Sequence, residues 1–499
     1  MSGNVEETLR LQFGTAANTI STQWLELHAR ESQDPRLMRA DGSPRLIAFE
    51  AKDRVQKRRV AANATKRPRV ADIQEQAAWT GNVQVYDQSE AEPVDSASND
   101  NGLWNWSRLH ANNLFEVDEF RAHMPLHNFY EGYAVSKDGS ISNSTFEAAE
   151  ERIRGVLEEC DRLRFVQTLV DMDSSWGGFA HEILTYVSEE CPSAVVVTFA
   201  NDWTYPLADQ SIESVFALTP DNRDKVKNEA RKRINIASAL GLLSEVSTLL
   251  VPIAMSDVSL PRASRFAHLH GVSSESCAQM GTIAATAIDL ALSAYRHKSV
   301  YEVVEGVVPS RKIMELAARF PFEGNPVELL DAISNQSEVS TPQDDPLANA
   351  SLLPAIPERA ALRSRYEEDQ DDDDEASSTD GKVFYRRFHL RGSFPDYSSS
   401  LYDSIQRVRS TKCVVQWTSD ARVELSSSYR IPALAGARVD AVSQLSTSSR
   451  IGAYVDHVTQ LLESADKRVL YEFTRSGMNP DAVEDLHAAL GGISDAYQE

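Results

Sequence analysis

The residues best placed for chemistry lie between Asp171 and Gly178, reading Asp-Met-Asp-Ser-Ser-Trp-Gly-Gly. Phe165 to Val170 reads as a buried strand and Phe179 to Val187 as the first turns of a helix, with Phe179, Ile183 and Val187 on one face. A strand–loop–helix junction of this kind is where α/β folds hold phosphate, because helix N-terminal N–H groups and flexible glycines favour an anion. The chemistry of this loop opposes that use. It has two glycines, Gly177 and Gly178, beside the bulky Trp176 and the carboxylates Asp171 and Asp173. An unscreened carboxylate about 6 Å from a phosphate charge opposes binding by roughly 3 kcal/mol at an effective dielectric of about 20.

A second junction opens the chain. Leu9 to Phe13 alternates apolar and polar residues, Gly14 turns the chain, and Thr15 begins a helical pattern with Ile20, Trp24 and Leu27 on one face. Gln12, Gly14 and Asn18 sit near that strand exit, but neither G-x-G-x-x-G nor a Walker A pattern is present. Other constellations are weaker. His181-Glu182 has no second histidine at metal-binding spacing and reads as a helix-surface pair, so no metal site is expected. No Gly-x-Ser-x-Gly elbow occurs, and Cys160 beside Asp161 reads as a structural thiol, since a carboxylate disfavours the thiolate. No catalytic residue is assigned.

The elements that position these residues alternate. Pro44 to Glu50, Phe165 to Val170 and Ala194 to Ala200 read as strands; Phe146 to Leu163, Asn228 to Leu243 and Gly281 to Tyr295 read as helices. The pattern predicts an α/β fold with a doubly wound, mostly parallel sheet, followed by a smaller α/β domain and C-terminal helices. The expected domains are 1–245, with a basic and polar insertion at about 52–101; 246–333, a core helix and the start of the second domain; 334–381, a linker; and 382–499. The insertion carries Lys57-Arg-Arg and Lys66-Arg-Pro-Arg, which read as a solvated loop or, alternatively, as an import signal or anionic-surface contact. Trp104 and Trp106 are expected to restart ordered structure. The linker contains Glu367 to Glu375, eight acids in nine residues, a self-repelling block expected to be disordered. Val383 to Leu390 and Cys413 to Trp417 read as strands, with helices from Ser448 and from Asn479.

With 499 residues the chain can bury at least two cores. A net charge of −24 argues against general nucleic-acid binding. Four scattered cysteines fit a reducing compartment without a disulfide framework. The N-terminal residues have neither the apolar run of a secretory signal nor an Arg-rich presequence, and the most apolar windows, Ile234 to Met255 and Gly281 to Tyr295, contain polar residues that argue against a membrane span.

The order of these pieces resembles the tubulin superfamily and, within it, the Misato family of tubulin-like proteins. Leu11 to Ile20 is similar to the Misato opening and to tubulin's first strand and nucleotide loop, and Pro44 to Glu50 to the Pro-Arg strand of both. Glu159-Cys-Asp-Arg-Leu resembles the segment before tubulin's phosphate loop, and Ala284 to Asp289 with Tyr295-Arg296 a Misato core segment. Leu470 to Met478, Glu484 and Asp495-Ala-Tyr resemble tubulin's last helices. The resemblance implies a GTP site at Gln12, Gly14, Asn18, Gly177 and Gly178, in vestigial form. The glycine-packed phosphate loop is missing, Ala17 stands beside the base-proximal Asn18, and no Gly-x-x-Asn-x-Asp occurs between Leu242 and Met255. Hydrolysis is therefore not expected, and GTP is the only cofactor left open.

Three roles follow as expectations. The first is a non-catalytic tubulin relative in mitochondrial distribution, morphology and inheritance, on the cytosolic face of the outer membrane and in the cytoplasm, by peripheral association. The second is tubulin biogenesis or spindle microtubule assembly, with tubulin or the cytosolic chaperonin as partners. The third is a weak GTPase that forms filaments.

Overall fold

The structure is a computed structural model. It describes residues 6–28, 36–39, 43–52, 113–121, 127–133, 141–202, 222–255, 266, 268–272, 276–335 without 294, 296 and 297, 347–354, and 382–498 without 411, 420, 421, 466 and 480. The basic insertion beyond Lys52, Trp104, Trp106 and the acidic run Glu367 to Glu375 lie outside the described residues.

The first sheet has six strands, β1 (Glu7–Phe13), β2 (Leu46–Ala51), β3 (Leu114–Val117), β4 (Leu163–Asp171), β5 (Val195–Asp202) and β6 (Leu249–Ala254). They run parallel in the order β3-β2-β1-β4-β5-β6. Parallel strands buried on both faces need near-continuous apolar runs, as in Val195 to Phe199 and Leu249 to Ile253. β6 pairs with β5, so this sheet extends beyond residue 245, where the first domain was expected to end.

Helices cover both faces. α1 (Thr15–His28) buries Ile20, Trp24 and Leu27 on one face of the sheet. The other face carries α2, a single turn (Phe129–Gly132), α3 (Asn143–Glu158), α4 (Ser175–Glu190) and α5 (Asn222–Val246). β1 divides its side chains accordingly: Leu9, Leu11 and Phe13 join the core on the α4 side, while Arg10 and Gln12 lie under α1. α3 ends at Glu158 rather than at Leu163, which instead opens β4; the intervening Glu159 to Arg162 form a short connection in which Glu159 and Asp161 are exposed and Cys160 and Arg162 half-buried.

α6 (Cys277–Ser293) is buried along nearly its whole length. Its small residues allow this: Gly281 lies against Thr19 and Ile20 of α1, and Thr282 and Thr286 return their hydroxyls to the helix's own carbonyls. On its far side is a second sheet, β7 (Glu315–Arg319), β8 (Val383–Arg391), β9 (Cys413–Thr418) and β12 (Ala441–Ser448), ordered β7-β12-β8-β9. β10 (Val423–Glu424) and β11 (Arg438–Val439) form a separate short pair. α7 (Pro326–Asn335) and α8 (Ser398–Val408) pack on the outer face of the second sheet.

The chain then returns to the first domain through α9 (Ser449–Glu463), α10 (Lys467–Arg475) and α11 (Ala482–Ala496), whose inner residues, such as Val455, Phe473 and Leu490, join the core on the α5 side. The last helix starts at Ala482 rather than Asn479. The Asn479 side chain accepts from the Asp481 N–H, a turn that precedes the helix instead of capping it.

Candidate functional site

In a sheet of order 3-2-1-4-5-6 the chain winds outward from β1 in one direction and then resumes beside β1 at β4. Ligands of open α/β sheets bind at this switch point, beyond the carboxyl ends of the strands. Here it lies between the ends of β1 and β4, bounded by the N-termini of α1 and α4. The two junctions singled out in the sequence are thus brought together.

At the β1 end, Gly14 adopts a positive φ of 100°. A Cβ there would run into the Asp171 carboxyl and the Trp176 ring, so glycine is required both by conformation and by space. The first turn of α1 follows directly. The Asp171 side chain, at the end of β4, spans this turn: Oδ2 accepts from Ala16 N at 2.9 Å and Oδ1 from Ala17 N at 2.8 Å. Asp171 pairs with Asn201 in the strand register, and Asn201 Nδ2 donates to Oδ1 at 3.4 Å. Burial, then the neighbouring Asp173, push the Asp171 pKa well above the usual carboxyl range; the three donors pull it the other way.

Glu50, at the end of β2, serves the same helix turn from the opposite side. Its oxygens accept from Thr15 Oγ1 at 3.0 Å and Asn18 Nδ2 at 3.1 Å, and Asn18 Nδ2 also donates to Phe49 O. Both carboxyls are buried. They lie at the positive end of the α1 dipole, where negative charge is favoured.

The second expected glycine site differs from a loop. α4 begins at Ser175, capped by Ser174, so Gly177 and Gly178 belong to its first turn and the connecting loop shrinks to Met172, Asp173 and Ser174. Their missing side chains make room for α2. A Cβ on Gly178 would overlap Phe129 O and Tyr133 N, one on Gly132 would overlap Ser175 O, and one on Gly177 would press on the Phe129 ring. The turn is held there by Asn235 of α5. Its Oδ1 accepts from Phe129 N at 2.8 Å, while its Nδ2 donates to Asp173 O at 2.9 Å and His127 O at 2.6 Å. Trp176 stacks on Phe120 with ring centroids 3.9 Å apart, closing the adjoining wall.

Of the five residues expected at a nucleotide site, Gly14 and Asn18 lie at the switch point. Gly177 and Gly178 seat α2. Gln12 is buried beneath α1, where its amide donates to Ser21 Oγ. The buried oxygens Asn18 Oδ1 and Asn201 Oδ1 have no donor among the described residues. These two side-chain atoms are acceptors, which call for a hydrogen-bond donor such as water rather than for a phosphate. The segment Leu242 to Met255, which lacks an acid-bearing Gly-x-x-Asn-x-Asp loop, is the end of α5, a short turn and buried β6.

Glu50, Asn201 and Asn235 were not singled out in the sequence. Asn235 had a visible signal, an amide within an otherwise apolar window; Glu50 and Asn201 had none beyond their places at strand ends. His181 is buried against the Tyr133 ring, 5.1 Å between centroids, rather than forming a surface pair; it touches Glu182 at 3.3 Å. No metal-holding cluster occurs among the described residues. Cys160 is half-buried, and burial first, then Glu7, push its thiol up to about 11, so the opposing carboxylates are Glu7 and, less strongly, Glu159 rather than Asp161. No helix among the described residues is long and apolar enough to cross a membrane.

A tubulin-domain family model matches residues 104–290, the region from before β3 to α6. Protein DML1 of Scheffersomyces stipitis is 29% identical over 157 residues, 30% of this chain and 29% of that protein. Protein dml1 of Schizosaccharomyces pombe is 35% identical over 85 residues, 17% of each chain. Protein DML1 of Gibberella zeae is 23% identical over 171 residues, 33% of this chain and 31% of the relative. The matched segments span about a third or less of the length of these relatives.

Proposed function

Because this chain is a tubulin-like protein of the Misato family, we propose that it acts as a non-catalytic tubulin relative in the distribution, morphology and inheritance of mitochondria. The observation that carries the non-catalytic part is the self-saturation of the switch point. Ala16 N and Ala17 N are held by Asp171, Thr15 and Asn18 by Glu50, and the glycines of α4 by α2. Hydrolysis of a nucleoside triphosphate needs donors aimed at developing phosphate charge and a group that positions water. Here Ala16 N, Ala17 N, Thr15 Oγ1 and Asn18 Nδ2 serve internal carboxyls, and the side-chain oxygens Asn18 Oδ1 and Asn201 Oδ1 are acceptors.

The mitochondrial part of the reading is supported by the family resemblance. In this reading the protein works through protein contacts on the cytosolic face of the outer membrane and in the cytoplasm. Depleting the protein acutely, with mitochondria and microtubules imaged in the same cells, tests it. Mitochondria that fragment or fail to partition while microtubules stay intact would support a primary organelle role.

A second reading, a factor in tubulin biogenesis or spindle assembly working with the cytosolic chaperonin, is favoured by the architecture. The six-stranded sheet, the buried helix α6 and the return of α9 to α11 onto the first domain interlock distant parts of the chain. Non-local folding of this kind is slow and exposes apolar surface. Loss of microtubules before any mitochondrial change, with tubulin and chaperonin co-purifying, would put this reading first. The third role, a filament-forming GTPase, fits the saturated switch point least.

A further inference from the structure

We propose that Asp171 is a built-in ligand of the α1 N-terminus: its carboxyl group stands where a phosphate is held in nucleotide-binding α/β sheets, completing the fold without nucleotide. The proposal deepens the non-catalytic reading and rests on it.

Topology supplies the place. The N-terminus of the helix after β1, at the switch point beside β4, is the anion position of this sheet order. Geometry supplies the occupant. Two oxygens of one side chain meet two successive main-chain N–H groups at 2.9 and 2.8 Å, as two oxygens of a phosphate would. Gly14, lacking a Cβ, lets that carboxyl approach as closely as it does.

Asp171 is also fixed rather than free to swing away. Met172 N donates to Asn201 O, Ser174 Oγ to Asp171 O, and Asn235 Nδ2 to Asp173 O, which pins the three-residue connection to α4 on both sides. A carboxyl held this way excludes an external anion by occupying its donors.

Thermal unfolding of the full chain and of Asp171→Ser, with and without millimolar inorganic pyrophosphate, tests the assignment. The variant is expected to melt roughly 5 °C lower. Pyrophosphate should restore most of that loss while moving the unaltered chain by less than about 1 °C. Equal stabilisation of both proteins by pyrophosphate would overturn the proposal, as would a variant that neither loses stability nor responds.

If Asp171→Ser does not fold, hydrogen exchange of the unaltered chain decides. The proposal expects slow exchange of the Ala16 and Ala17 amides without nucleotide and no change on adding pyrophosphate or GTP. Fast exchange, or protection that appears only with ligand, contradicts it. GTP turnover by the unaltered chain would instead defeat the non-catalytic reading, whereas an unrescued variant without turnover defeats only the role of Asp171.

Discussion

Asp171 Oδ1 lies 2.8 Å from the main-chain nitrogen of Ala17, joining the end of β4 to the beginning of α1 across the point where the sheet reverses its winding. That contact exists because Gly14 between them has no side chain. Gly14→Ala would force a strained positive φ and push against Asp171 and Trp176 together. The expected loss is about 2 kcal/mol or more. Urea unfolding should show a lower midpoint with an unchanged slope; an unchanged midpoint would mean that the turn relaxes freely.

Two further glycines make opposite predictions. Gly178→Ala places a methyl against the Phe129 carbonyl and the Tyr133 amide, and should destabilise by about 1–3 kcal/mol. Gly155 sits in α3 with nothing near its missing Cβ, so Gly155→Ala should stabilise by roughly 0.5–1 kcal/mol. The same denaturant assay reads both. A Gly178→Ala variant as stable as the unaltered chain would contradict the account of the α2–α4 crossing.

Asn235 satisfies three main-chain groups from two segments. Asn235→Ala leaves Phe129 N, Asp173 O and His127 O without it, for an expected loss of about 2–4 kcal/mol. Limited proteolysis should then cut near residues 127–133 at protease levels that spare the unaltered chain. Equal resistance of the two would show that α2 is held by its glycine contacts alone.

The raised pKa of Asp171 gives a signed pH dependence. Its causes, in order, are burial and Asp173, opposed by the donors Ala16 N, Ala17 N and Asn201 Nδ2. A folded value above the unfolded one means that protonation favours the native state. This contribution is complete below about pH 4 and is lost as pH rises through the folded value. Asp171→Asn removes it, so the stability of the unaltered chain relative to this variant should fall as pH is raised from about 4 toward neutral. Denaturant titrations across that range check the sign; a gap that widens would mean that the donors outweigh burial.

Much of the first domain was legible because its strands are apolar and its helices periodic. Leu9 to Phe13 and Phe165 to Val170 lie in strands, as does the expected Ala194 to Ala200 apart from Ala194 itself, and Ile20, Trp24 and Leu27 face inward together. The second sheet was harder to read. Its inner strand β12 is Ala-Val-Ser-Gln-Leu-Ser-Thr-Ser, too polar to mark a core strand, yet every residue is buried because β7 and β8 flank it.

At the site, residue types were readable and partners were not. The sequence identified Asp171 as an obstacle to phosphate. That its oxygens meet residues 154 and 155 positions away in the chain is a product of the strand order. Similarly, Gly177 and Gly178 looked like a loop because glycine lowers helix propensity. The close approach of α2, set by Asn235, explains why the helix tolerates them.

The central claim is that the switch point is filled from within. Its most direct test is the nucleotide content of the freshly purified full chain, released by denaturation and separated by chromatography. The account predicts no stoichiometric nucleotide in a natively folded protein. One equivalent of guanine nucleotide per chain would contradict it.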